Sequence, residues 1–265
     1  TGVQTCALPI WAAYRKSMII WVGVIWTFAV LMFMEFSAYY QNEEISAVLD
    51  AFPKAMLDAF GMYGANLTTV NGYLSIMVSY FNIMLAIYAV LLGSSIILKE
   101  KKGRTADFLF SMPIKRTEVL VSKMVAALTM CIFMTFTTAL AFCASVMPYE
   151  FGSEQFRYIV LISSAMLMIE LVFLGVGVLI GVIIKGHKWA SGLAVALVCF
   201  SYFLYIVESV SEDLEFIKYI TPFKYFEGNT LLLDGHLGGV STLIVLVIFS
   251  IATLISFIVY PRKDL

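Results

Sequence analysis

Charge is the scarcest feature of this chain. Only 13% of its 265 residues are charged and 61% are hydrophobic, where a soluble domain carries about 25% charged residues. So little polar surface cannot cover a water-soluble globule, which excludes that class and points to an integral membrane protein. A net charge of −1 leaves no basic excess for nucleic acid. Histidine is almost missing, with His187 and His236 the only two. No H-E-x-x-H occurs, which excludes a zinc metalloprotease of that type. Neither histidine falls at membrane depth, as an intramembrane Ser–His site would require. Cysteine is sparse as well. Cys131, Cys143 and Cys199 lie inside apolar runs without metal-ligand spacing and read as small apolar fillers. A phosphate-binding loop is also lacking. "GVIIKGHK" (Gly181–Lys188) fails the G-x-x-x-x-G-K-[ST] pattern, since His187 follows the second glycine. Its first half is apolar and no strand precedes it, so it reads as a tight turn. The chain therefore has no ATPase site of its own and is not read as an enzyme.

What is present is a set of long apolar runs. A bilayer core needs roughly 20 apolar residues as a helix. Six stretches meet this, at about 17–36, 73–98, 123–147, 158–184, 189–207 and 241–260. Their continuous apolarity argues for helices, since barrel strands alternate. The fold class is all-α, with six transmembrane helices. Six spans place both termini on one side. The segments on that side carry 13 of the 17 basic residues, and the opposite segments carry 12 of the 18 acids. Both termini are therefore expected in the cytoplasm.

Two outer segments are long. Gln41–Gly72 contains "EEISAVLDAFPKAMLDAF", whose apolar residues fall near helical spacing around Pro53. It reads either as a solvated loop with an amphipathic turn or as a lid facing substrate. The second, Glu208–Val240, has room for a short helix or a cap. "GMYGANLTTVNG", ahead of the second span, reads as loop. Glu170 falls near the middle of the fourth span. A carboxyl there is either a polar contact in the transport path or a protonated group bonded to a neighbouring hydroxyl such as Thr135, Thr137 or Thr138. Glu35 reads as interfacial. Gly177-x-x-x-Gly181 lets two helices approach closely, and packing within the chain is favoured over a dimer contact.

The inner link "KEKKGRTADFLFSMPIKRTEVLVSK" (Lys99–Lys123) carries seven basic residues around an apolar cluster of Phe108, Leu109, Phe110 and Met112. Thr105 is placed to cap a short helix starting at Ala106, with Asp107 in its first turn, where a negative charge suits the helix dipole. Pro113 ends that helix by disfavouring helical geometry at Met112. A second helical run from Thr117 leads into the third span. The segment reads as an interfacial helix held by headgroups or as a docking helix whose aromatics anchor a cytoplasmic partner.

Glu100, Gly103, Thr105, Leu109, Pro113 and Arg116 together resemble the pattern of ABC-2 type transporter permeases, in particular those of bacterial ABC exporters. "YRKSMIIW", "YITPFKYFEG" (Tyr219–Gly228) and "YPRKDL" (Tyr260–Leu265) are similar to that family's elements at the first span, before the last span and after it. The resemblance covers nearly everything from about Ala13 onward. It implies a multi-pass subunit of the bacterial cytoplasmic membrane. It implies pairing with a second permease, as homo- or heterodimer, and coupling to a separate cytoplasmic ATPase that binds ATP and Mg. Residues Ala106–Met112 would form the coupling helix in the ATPase groove, with Arg104, Lys115 and Arg116 as its rim or as headgroup contacts. The competing readings are a self-contained secondary transporter, for which Glu170 is the one buried ionisable candidate, and a membrane-embedded enzyme. The substrate is not legible. "TGVQTCALPI" (Thr1–Ile10) matches, in order, the translation of a DNA-sequencing adapter. It is expected to be a non-native artefact, leaving 11–265 as a single six-helix permease domain.

Overall fold

The computed structural model describes the backbone of residues 2–42, 44, 52, 53, 56, 57, 66–103, 116–149, 151–184, 186–210 and 219–262, and the side chains of these except 2–9, 99–103, 116 and 262. The long helices are α1 (Gly2–Tyr39), α2 (Val70–Gly103), α3 (Arg116–Val146), α4 (Ser153–Ile183) and α5 (His187–Val210). Two short helices follow, α6 (Pro222–Tyr225) and α7 (Gly228–Asp234), then α8 (Gly239–Val259) and a 3-10 turn at Tyr260–Arg262. No strand occurs among the described residues.

Six of these helices are long and apolar enough to cross a membrane, and each corresponds to an expected span. Their ends run further than charge placement suggests. The first spanning stretch begins at Ile10, because Arg15 and Lys16 ride exposed on α1 and do not end it. Helix α2 passes beyond Leu98 to Gly103, since a helix leaving the bilayer needs no apolar face. It also starts earlier than expected. Thr69 caps it, its Oγ1 accepting the Gly72 N–H at 3.2 Å. A Cβ at Gly72 would lie 2.0 Å from the Asn66 carbonyl oxygen, so only glycine fits where the chain folds back. His187, expected in a link, opens α5.

Helices α2, α3 and α4 form the inside of the bundle, and α1, α5 and α8 form much of its outside. Helix α2 packs along α4, and the pair is the central contact of the fold. Helix α3 lies between α1 and α4, α5 sits on α2, and α8 sits on α4. Ile19, Leu31, Met34, Leu243 and Leu254 are exposed on the outer helices. Water would penalise so continuous an apolar surface, and lipid does not. Helices α6 and α7 lie between α5 and α8, in the second of the two long connecting segments, and cap the bundle against α5, α2 and α4. Helix α7 ends at Gly235, whose φ of 68° is left-handed and whose N–H bonds the Leu231 carbonyl. The amphipathic stretch of the first outer segment lies mostly outside the described residues.

Candidate functional site

The α2–α4 crossing is built from missing side chains. A Cβ at Gly177 would stand 2.4 Å from the Val90 carbonyl oxygen, and one at Gly181 would stand 2.8 Å from the Ser94 carbonyl oxygen. From the other helix, a Cβ at Gly93 would meet the Leu174 carbonyl oxygen at 2.6 Å. The two backbones therefore touch, and both halves of the Gly177–Gly181 pair face this chain's own α2. Gly93 went unread because it is not part of a glycine pair at four-residue spacing. Gly181 is the first residue of the false phosphate-loop pattern. Here it is a packing residue inside α4, and Gly186 precedes α5.

One face of α2 carries Asn71, Ser75, Ser79 and Asn82, all buried. Their spacing of four, four and three residues makes a polar stripe in an apolar helix. Asn71 Nδ2 donates to Glu154 Oε1 at 3.2 Å, and Ser75 Oγ donates to the Gly72 carbonyl at 2.6 Å. Deeper in the bundle, Glu170 on α4 is fully buried. Thr135 Oγ1 on α3 donates to its Oε2 at 2.8 Å, while Oε1 has no hydrogen-bond partner among the described residues. Thr137 and Thr138, the other two candidate hydroxyls, bond back to the Met134 carbonyl on their own helix. A buried carboxyl with one hydroxyl partner joins α3 to α4, and it lines none of the three clefts noted below.

The end of the bundle where α5 finishes carries a second polar group. Lys224 Nζ lies 3.1 Å from Glu227 Oε2 and 3.3 Å from Glu208 Oε2. Burial pulls the Lys224 ammonium down, but the two carboxylates outweigh it and hold its pKa above the ordinary lysine value. Tyr205 OH donates to Glu227 Oε1 at 3.4 Å. Beside this cluster, "TPF" plugs the bundle. Thr221 Oγ1 donates to the Ser201 carbonyl at 3.0 Å. Phe223 sits 5.4 Å from the rings of both Phe173 and Tyr202. The Tyr158 hydroxyl donates to the Gly228 carbonyl at 2.9 Å. A Cβ at Gly228 would fall 2.0 Å from the Ser75 carbonyl oxygen, so α7 starts in backbone contact with α2. Lys224, Glu208 and Glu227 escaped the sequence reading as a group, because charges in an outer segment ordinarily face water.

The inner link is only framed. Glu100 and Gly103 lie on the last turn of α2, and Arg116 opens α3. Arg104, Thr105, Ala106, Asp107, Phe108, Leu109, Met112 and Pro113 lie outside the described residues. Glu35, at the far end of α1, accepts from the Tyr39 hydroxyl at 3.1 Å. Three clefts of 410–460 Å³ open near that far end. One lies between α1 and α3, one is polar and lies around Asn71 and Glu154, and one lies between α1 and α2.

Among the described residues, no three His, Cys, Asp or Glu side chains converge as a metal site. The molecule is a multi-pass helical membrane protein: an apolar shell, a tightly packed inner pair of helices, and buried polar groups bridging helices. A family model described as "ABC-2 family transporter protein" matches residues 11–265. The chain belongs to the ABC-2 transporter family and is a membrane-embedded transport subunit. No curated protein matches it.

Proposed function

We propose that the chain is the transmembrane permease of an ATP-driven exporter, moved by a separate ATPase bound at the end that carries both termini. Membership of the ABC-2 family over 11–265 is the observation that carries this reading. The end rich in Lys and Arg, which includes the α2–α3 link, faces the cytoplasm of a bacterial cell. A second permease completes the pathway. Residues 106–112 form the coupling element, with Phe108, Leu109 and Met112 in a groove of the ATPase.

The geometry supports a rigid relay. Helix α2 is continuous from Val70 to Gly103, 34 residues or about 51 Å at 1.5 Å per residue. It joins the link directly to the centre of the bundle. A displacement at the link moves α2, and α4 follows through the backbone contact at Gly93, Gly177 and Gly181. The same rod reaches α7 through Ser75 and Gly228, so the plug at Thr221–Phe223 feels the motion at the far end. A packed bundle driven this way switches between discrete arrangements. The test is Phe108→Asp with Leu109→Asp, assayed for ATPase association and transport. Both are expected to be lost while the permease remains folded. Unchanged association and transport would end the coupling-helix assignment.

A further inference from the structure

The cleft between α1 and α2 has the chemistry of a binding site for an ammonium group. It holds about 440 Å³. Helix α1 presents Phe28, Met32, Glu35 and Tyr39 to it, at spacings of four, three and four, which is one helix face. Helix α2 answers with Tyr73, Ile76, Met77 and Tyr80. The α1 backbone packs mainly on α3 and stands off from α2, so the two helices meet chiefly through side chains such as Phe28–Phe81 and Phe36–Tyr73, with the cleft between them. Its walls are apolar and it contains one formal charge. Glu35 bonds only Tyr39 among the described residues, and no described basic side chain pairs with it.

The aromatic groups are arranged around that carboxylate. The Tyr73 hydroxyl donates to the Met32 carbonyl at 2.7 Å and its buried ring stacks on Phe36 at 4.5 Å, so Tyr73 forms the floor of the cleft. The Tyr39 and Tyr73 rings stack at 6.3 Å, and Tyr80 lines the same cleft as Glu35. A carboxylate with no described basic partner, in an apolar cleft edged by Tyr39 and Tyr80, is complementary to a cation that presents apolar surface. Depth narrows the ligand further. Glu35 lies four residues from the end of α1, about 6 Å, and Tyr80 lies ten residues into α2, about 15 Å. The carboxylate therefore sits nearer that end of the bundle and the aromatic and apolar wall of the cleft lies deeper.

We infer that this cleft binds an amphiphile with an ammonium head at Glu35 and an apolar chain running inward past Tyr80. The head belongs either to a lipid such as phosphatidylethanolamine or to a free cationic amphiphile. The site stands whether or not the ATPase coupling above is correct. Native mass spectrometry of the purified full chain tests it, with equimolar phosphatidylethanolamine and phosphatidylglycerol as lipid probes and dodecyltrimethylammonium as the soluble one. The wild type should retain one phosphatidylethanolamine, or one dodecyltrimethylammonium, about tenfold over phosphatidylglycerol, equivalent to ~1.4 kcal/mol. Glu35→Gln should erase that preference without lowering the unfolding temperature, because the side chain is exposed. Tyr80→Leu should reduce it in part. Glu35-dependent binding of the lipid alone identifies a headgroup site, and of the soluble probe alone a site for free amphiphiles. Equal retention of phosphatidylglycerol, or a preference that survives Glu35→Gln, would overturn the inference.

Discussion

Adding a single methyl group at Gly177 perturbs the central helix contact of the fold directly. In Gly177→Ala the new Cβ would stand 2.4 Å from the Val90 carbonyl oxygen and 3.0 Å from its Cα, where ordinary contact begins at 3.4 Å. The shortfall is about 1 Å, and the obstacle is backbone, which no rotamer change relieves. Helices α2 and α4 must separate locally, which strips contact from the most buried interface in the molecule. Overpacking of this kind costs about 1–3 kcal/mol. Alanine also removes the entropic penalty of a helical glycine, about 1 kcal/mol, so the net loss is at the lower end of that range or below it. Gly192→Ala and Gly23→Ala are matched controls, since a Cβ at either meets nothing within 4 Å. The assay is thermal unfolding of the purified chain in one detergent, followed by tryptophan fluorescence. At about 2–4 °C per kcal/mol for a chain of this order, Gly177→Ala should unfold at least a few degrees below Gly192→Ala and Gly23→Ala, which keep the same entropic gain without the clash, and Gly177→Leu should fail to fold. The two controls should match or exceed wild type. Gly93→Ala, facing the Leu174 carbonyl oxygen at 2.6 Å, should fall with Gly177→Ala. If Gly177→Ala behaves like Gly192→Ala, the backbone contact between α2 and α4 does not exist as described.

Other expectations follow from the buried polar groups. Thr135→Val removes the one hydroxyl bonded to Glu170 and should destabilise the chain by about 1–3 kcal/mol, read as a lower unfolding temperature. Glu170→Gln keeps an acceptor for Thr135 and should leave stability and transport near wild type; loss of transport in a stable variant would place Glu170 in the path. Lys224 makes a pH-dependent contribution. Its raised pKa means that its stabilisation is complete below the ordinary value of 10.5 and is lost as pH rises through the folded value. Unfolding temperatures measured across that alkaline range should show a limb in wild type that is flatter in Lys224→Met. Gly228→Ala places a Cβ 2.0 Å from the Ser75 carbonyl oxygen and should lower the unfolding temperature, and with it transport.

The spans were readable because the bilayer sets their length and forbids charge within them. Their ends were not, because a helix crosses the boundary freely: Arg15 and Lys16 stay on α1, and α2 continues to Gly103. The Gly177–Gly181 pair advertised a close approach, but its partner backbones, Val90 and Ser94, are more than eighty residues away in the chain and carry no matching pattern. The spacing of α3 offered Glu170 three threonines without selecting one. Only the packed bundle turns Thr135 across the interface and leaves Thr137 and Thr138 on their own backbone. The Lys224 cluster depends on how α5, α6 and the start of α7 fold together, which no local period encodes. Glu35 was legible as interfacial, and its partner Tyr39 sits one helical turn away. The cleft that gives Glu35 a purpose exists only because α1 leans on α3 and away from α2.

The proposed role of the chain requires that another protein drive it. The direct measurement is to solubilise membranes of the source cell carrying the chain with a C-terminal tag and to isolate it with whatever binds it. An ATPase with Walker motifs, encoded beside the permease, should come down with the wild type, hydrolyse ATP faster when bound, and be missing from the Phe108→Asp, Leu109→Asp preparation. A wild-type permease that moves solute between membrane-bounded compartments with no bound ATPase, driven by an ion gradient alone, would contradict it.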